Sequence, residues 1–167
     1  VNSNRSAKDF FFPQTENLMD FRVEGKHVDV VDTRRECEDF VLFGVRACDV
    51  RSFTVLDRVF LGTPIDTYYQ NRREHSVVMS LACTRPGETC FCGTFDIDAA
   101  APEGDIVCHM TDDVLYLDAK TEKGGALLSS LDALTEACDA SAVEAQQKET
   151  RARLARLPLA SLTKDRL

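Results

Sequence analysis

Residues 40–82, FVLFGVRACDVRSFTVLDRVFLGTPIDTYYQNRREHSVVMSLA, carry the pattern that decides the fold. The run 40–45 is short, apolar and rich in β-formers, which suits a central strand buried on both faces. Asp49 then caps a helix in which Val50, Phe53, Leu56, Val59 and Phe60 recur at spacings of three and four, and Gly62 and Pro64 end it. After the polar stretch 65–75, which reads as a turn or short helix, residues 76–82 form a second continuous apolar run. Strand, helix, strand is the βαβ unit. It predicts a parallel pair with a right-handed crossover and puts whatever follows each strand at the same sheet edge. Cys48 follows the first strand and Cys83 the second.

Upstream, Phe10 to Phe12 form an apolar run that Pro13 interrupts, and NLMDFRVEGKHVDVVD (17–32) predicts a hairpin turning at Glu24-Gly25-Lys26. Downstream, residues 105–110 and 114–117 read as two further strands and 125–137 as a helix. Residues 141–157 have strong helix formers, with Glu144 and Lys148, and Glu149 and Arg153, at i,i+4. Their apolar stripe is only Val143, Leu154 and Leu157, so a surface or linking helix is expected. The fold class is therefore α/β: a mixed sheet with a βαβ core, an N-terminal hairpin and peripheral helices. Residues 1–140 are expected to form the α/β body and 141–167 a C-terminal helix or linker.

A chain of 167 residues can bury a core without disulfides, and 44% hydrophobic with 29% charged residues is the composition of a folding sequence. Twenty basic against twenty-eight acidic residues give a net charge of -8, which removes any general electrostatic drive toward nucleic acid. No apolar run approaches a bilayer span and the N-terminus lacks a signal-peptide pattern, so the expected location is cytoplasmic. The chain starts at Val1 and stops at Leu167 in a basic, helix-like stretch, as a piece of something longer would.

Seven cysteines, an odd number, fit a disulfide framework poorly and direct attention to metal or redox chemistry. The loop ACTRPGETCFCG places Cys83, Cys90 and Cys92 in a C-x6-C-x-C arrangement, with Pro86, Gly87 and Gly93 allowing tight bends. Thiolates suit zinc or an iron-sulfur cluster, and four close either site. The parallel crossover makes Cys48 the best fourth ligand, with Cys37 in reserve. Arg46, Arg51 and Arg85 lie beside these cysteines in sequence, and the N-terminus of the helix after Cys48 adds positive potential, which favours an anionic cluster. The spacing matches neither the ferredoxin run nor a paired CxxC ribbon, so zinc and cluster both stand at this point. Cys108 and Cys138 sit in strand-like and helix-like patterns that favour buried structural roles.

Together, LFGVRACDVRSFTVLDRVFL (42–61), DTYYQNRRE (66–74) and LACTRPGETCFCGTF (81–95) resemble the N-terminal region of the iron-sulfur electron-transfer subunits typified by those of anaerobic sulfite reductase and by the sulfhydrogenase beta subunit. KDFFFPQTE (8–16) and YLDAKTEKG (116–124) extend the resemblance to roughly residues 5–130. It implies an electron-transfer domain of a larger oxidoreductase subunit, not catalytic alone, in which Cys48, Cys83, Cys90 and Cys92 ligate one [4Fe-4S] cluster. It also implies a downstream ferredoxin-like segment, absent here since no CxxCxxC is present, and flavin-containing and catalytic redox subunits as partners. Ala47 departs from the family's GVRPCD motif, which loosens the turn. The alternative is a docking or assembly module whose cysteines hold zinc or nothing, a state that aerobic loss of a cluster would also produce. A third reading makes Cys90 and Cys92 an exchanging dithiol.

His27, His75 and His109 fall into no metal motif, Asp112-Asp113 reads as a turn, and GxSxG is missing. Tyr68-Tyr69 with Arg72-Arg73-Glu74 reads as a solvated helix, with a docking face as the alternative.

Overall fold

The computed structural model describes residues 5–111 and 113–166; Asp112, and with it half of the expected Asp112-Asp113 turn, lies outside that set. The chain divides into two compact units, one built from residues up to 40 and 53–76, the other from 41–52 and from 77 onward.

The first unit opens with the expected hairpin. Strands β1 (Asp20–Glu24) and β2 (His27–Val31) pair antiparallel, with Phe21 opposite Val30 and Val23 opposite Val28. Gly25 makes the turn at φ +62°, a conformation that costs a Cβ-free residue little. The core is aromatic: Phe11, Phe53 and Tyr69 are almost wholly buried, and the Phe11 and Phe53 rings meet edge-on with centroids 4.8 Å apart. The Tyr69 hydroxyl donates to Asp57 at 2.6 Å, and the Arg73 guanidinium donates to both oxygens of the same carboxylate. Arg73 also stacks 4.8 Å above the Phe11 ring. The segment 65–75 is thus not a solvated helix. It contains a helix (Thr67–Glu74) capped by Asp66, whose Tyr69 is the largest fully buried side chain and whose Arg72 forks onto Glu16.

The second unit holds a four-stranded sheet: β3 (Phe40–Val45), β4 (Ser76–Leu81), β5 (Ile106–Thr111) and β6 (Val114–Ala119), neighbours in that order. β4 and β5 run parallel, while β5 and β6 form an antiparallel hairpin. At one end Phe40 N–H donates to the carbonyl of His75, just before β4; at the other, Arg46 reaches the carbonyl of Ala82, just after it. Start lies beside start and end beside end, so β3 and β4 run the same way. β3 is nevertheless an edge strand, not the central one its apolar run suggested, and Val41 and Phe43 are 45% and 57% exposed. β4, paired on both sides, is the buried run, with Ser76, Val78, Met79 and Ser80 all buried.

Helix α1 (Ala47–Phe60) starts three residues earlier than a cap at Asp49 would have it, which places Cys48 and Asp49 both in its first turn. Helix α2 is Thr67–Glu74, and α3 is Glu122–Ser130, capped by Thr121. α3 begins and ends before the expected 125–137, leaving Cys138 exposed in a loop and not buried on a helix. Cys108, by contrast, is fully buried beside Met79 and Ile106, under Leu127 and Leu128 of α3. His109 is also buried. α4 (Ser141–Leu154) is the expected surface helix, with Thr150 alone buried.

One carboxylate knots this unit together. Asp105 accepts from the Val78 N–H at 2.8 Å and the Thr121 hydroxyl at 2.6 Å, and its backbone bonds Val78 and Lys120. Gly124 packs directly over the Asp105 carbonyl, where a Cβ would stand 2.0 Å from the oxygen, while the next residue, Gly125, has open space around it. Gly124→Ala is therefore expected to cost about 3 kcal/mol or more by forcing α3 off the sheet. Gly125→Ala should instead stabilise by about 0.5–1 kcal/mol through helix propensity alone. Urea unfolding of the two variants checks this; equal effects would contradict the packing.

Candidate functional site

All four proposed ligands fall in the second unit. Cys48 is the second residue of α1, after Ala47 at a first helical position that a proline would also fit. Cys83 lies just past β4, fixed by its N–H to the carbonyl of Ala99 at 2.8 Å, next to Ala82, which bonds Cys108 of β5. The loop then turns back at Gly87, whose carbonyl accepts from the Cys90 N–H, and Cys92 opens a 3-10 turn ending at Phe95. Asp96, at φ +56°, closes that turn in the left-handed region.

The thiols sense one another. Burial raises the Cys83 thiol above its ordinary range; Arg46 pulls it down, and Cys48 and Cys90 push it up. Cys92 is pushed up to about 11, first by burial and then by Cys48, Cys90 and Cys83. Cys48 is raised by burial and by Asp49, against the backbone N–H groups of Asp49 and of Cys48 itself, which favour the thiolate; Cys90 adds to the rise. The effects of like charges identify these four as mutual neighbours. Each ionised sulfur makes the next harder to ionise, so metal-free protein keeps Cys48, Cys83 and Cys92 protonated near neutral pH.

The arginines divide. Arg46 hydrogen-bonds Cys83 and the carbonyl of Ala82. Arg51 faces Glu103 at 3.9 Å and Asp96, and Arg85 stands exposed on the loop. Cys37 is in the first unit, where Arg72, Asp39 and Glu38 are its charged neighbours. Among the described residues, no three His, Cys, Asp or Glu side chains converge on a point fit for one metal ion. A cubane makes a looser demand, because each of its thiolates binds a different iron. The donor set, four adjacent soft ligands with one arginine and one helix N-terminus, fits an anionic cluster chemically.

Local pattern carries no sign of how the C-terminal segment lies. Arg151 binds Asp98 at 2.7 Å, Lys164 binds Asp96 at 2.5 Å, Arg153 reaches the Thr84 carbonyl, and Thr94 donates to the carbonyl of Leu162. Between this segment and the loop runs an open groove of about 360 Å³, lined by Cys90, Phe91, Cys92, Leu154 and Leu159 among others. Only the run of arginines at 151, 153 and 156 hints at an acidic partner nearby.

No protein-family model matches the chain, and no solved structure matches it. Sulfhydrogenase 2 subunit beta of Pyrococcus furiosus is 34% identical to it over 114 residues, covering 68% of this chain and 33% of that subunit. The chain thus spans about a third of the relative's length. Over that span it resembles the sulfhydrogenase beta subunit family, as its ordered cysteine and arginine motifs indicated.

Proposed function

We propose that the chain is part of an electron-transfer subunit of an oxidoreductase complex, and that Cys48, Cys83, Cys90 and Cys92 hold one [4Fe-4S] cluster. The observation that carries this reading is that four cysteines lie within electrostatic range of one another, although the first lies 35 residues and one strand crossover before the other three begin. A cluster bound there would supply one-electron chemistry. The chain's own residues do the rest. The first turn of α1 directs N–H groups at the Cys48 sulfur, and Arg46 holds positive charge against Cys83, so both favour the ionised thiolates that ligation requires. Phe91 and Phe95, on either side of Cys92 in the chain, bring their rings to 5.9 Å of one another.

Relatedness to a sulfhydrogenase subunit supports catalytic redox subunits as partners; a flavin-containing partner and a ferredoxin-like segment beyond residues 141–167 are further parts of the proposal. Among the described residues no helix is long and apolar enough to cross a membrane; a cytoplasmic location is part of the proposal. A second reading is an assembly module whose cysteines hold zinc or no metal; the lack of a converged ligand group among the described residues bears on its metal-free form.

Anaerobic reconstitution separates the two. About four iron and four sulfide per chain, with a broad absorption at about 400 nm that Cys83→Ser abolishes and Cys138→Ser leaves intact, is the expected result. Zinc without sulfide in the wild type would replace the first reading by the second. In the reconstituted protein, Arg46→Ala should lower the midpoint potential by roughly tens of millivolts, because reduction adds negative charge that Arg46 offsets. Arg85→Ala, at the exposed loop position, should shift it less. An unchanged or raised potential in Arg46→Ala would remove that role.

A further inference from the structure

We propose that the segment from Arg151 to Lys164 is a strap that positions the Cys90 and Cys92 loop against Cys48 and Cys83. This deepens the cluster reading and draws its functional meaning from it.

The loop from Thr84 to Asp98 contains no regular structure beyond the 3-10 turn at Cys92–Phe95. Such a connection is mobile unless something holds it. The ties come from one segment and fall on both sides of the two cysteines. Arg153 Nη1 donates to the Thr84 carbonyl at 3.4 Å, near the start of the loop. Beyond Cys92, the Thr94 hydroxyl donates to the carbonyl of Leu162 at 2.9 Å, the Lys164 ammonium meets Asp96 at 2.5 Å, and Arg151 meets Asp98 through Nε at 3.1 Å and Nη2 at 2.7 Å. Thr94 is buried, so its bond lies inside the contact. Leu154 and Leu159 form the apolar wall of the groove opposite Cys90 and Cys92.

The Arg151–Asp98 pair is about half exposed and the Lys164–Asp96 pair more so, so each holds weakly and is screened by salt. Their effect lies in limiting how often the loop lifts away from the other two thiols. Arg151 and Lys164 are positioning residues: they touch the loop carboxylates, not the sulfurs.

The test uses the metal-free full chain, so it is independent of whether a cluster assembles. Iodoacetamide labelling is followed at each cysteine by peptide mass spectrometry, with exposed Cys138 as internal standard and buried Cys108 as the reporter of global unfolding. In R151A/K164A, labelling of Cys90 and Cys92 should accelerate about tenfold, two pairs contributing about threefold each. R151K/K164R should restore the wild-type rate. Wild-type protein in molar salt should show an acceleration in the same direction without any substitution. Unchanged rates at Cys90 and Cys92 in both the variant and high salt would overturn the strap. So would a matched rise at Cys108, which would mean that the substitutions loosen the whole unit.

Discussion

The parallel adjacency of β3 and β4 is the constraint on which the candidate site depends. A strand that continues into a helix and a neighbour that continues into a loop, both leaving the sheet at the same end, bring Cys48 and Cys83 together across 35 residues of chain. An antiparallel pair would have sent them to opposite ends. The sulfurs are then arranged by short-range chemistry: a helix first turn under Cys48, an arginine across Cys83, and two tight bends that return Cys90 and Cys92.

Burial and charge oppose one another at this site. Desolvation and neighbouring sulfurs make the thiolates costly, whereas Arg46 and the α1 N–H groups reduce the cost only in part. An arrangement of that kind makes Cys92 poorly suited to be the nucleophile of a thiol exchange enzyme, which needs a depressed pKa. It suits a cationic iron core, which compensates four thiolates at once.

The sequence was most legible where periodicity and turn chemistry agree. The Glu24-Gly25-Lys26 hairpin, the two apolar strands and, as separate strands, β5 and β6 were all visible as patterns. Other features depended on partners distant in the chain. β3 reads as central because its residues are apolar, yet sheet order leaves it at the edge. Tyr69 sits in a strongly polar stretch, and its burial is explained by partners distant in the chain: Asp57 and the Phe11 and Phe60 rings, with Arg73 on the same carboxylate. α3 stops at Ser130, so Cys138 never reaches a helix. The strap on the cysteine loop is made of ion pairs between residues 53 and 68 positions apart, and local pattern hints at it only through the arginines at 151, 153 and 156 without saying what they meet.

What remains decisive is whether the fold alone assembles the sulfurs. Metal-free protein treated with a short bis-electrophile such as dibromobimane, and mapped by mass spectrometry, reads thiol proximity directly. The account predicts that Cys48 is bridged to Cys83, Cys90 or Cys92 in preference to any other cysteine. Bridging of Cys48 chiefly to Cys37 or Cys138, or to none, would contradict it.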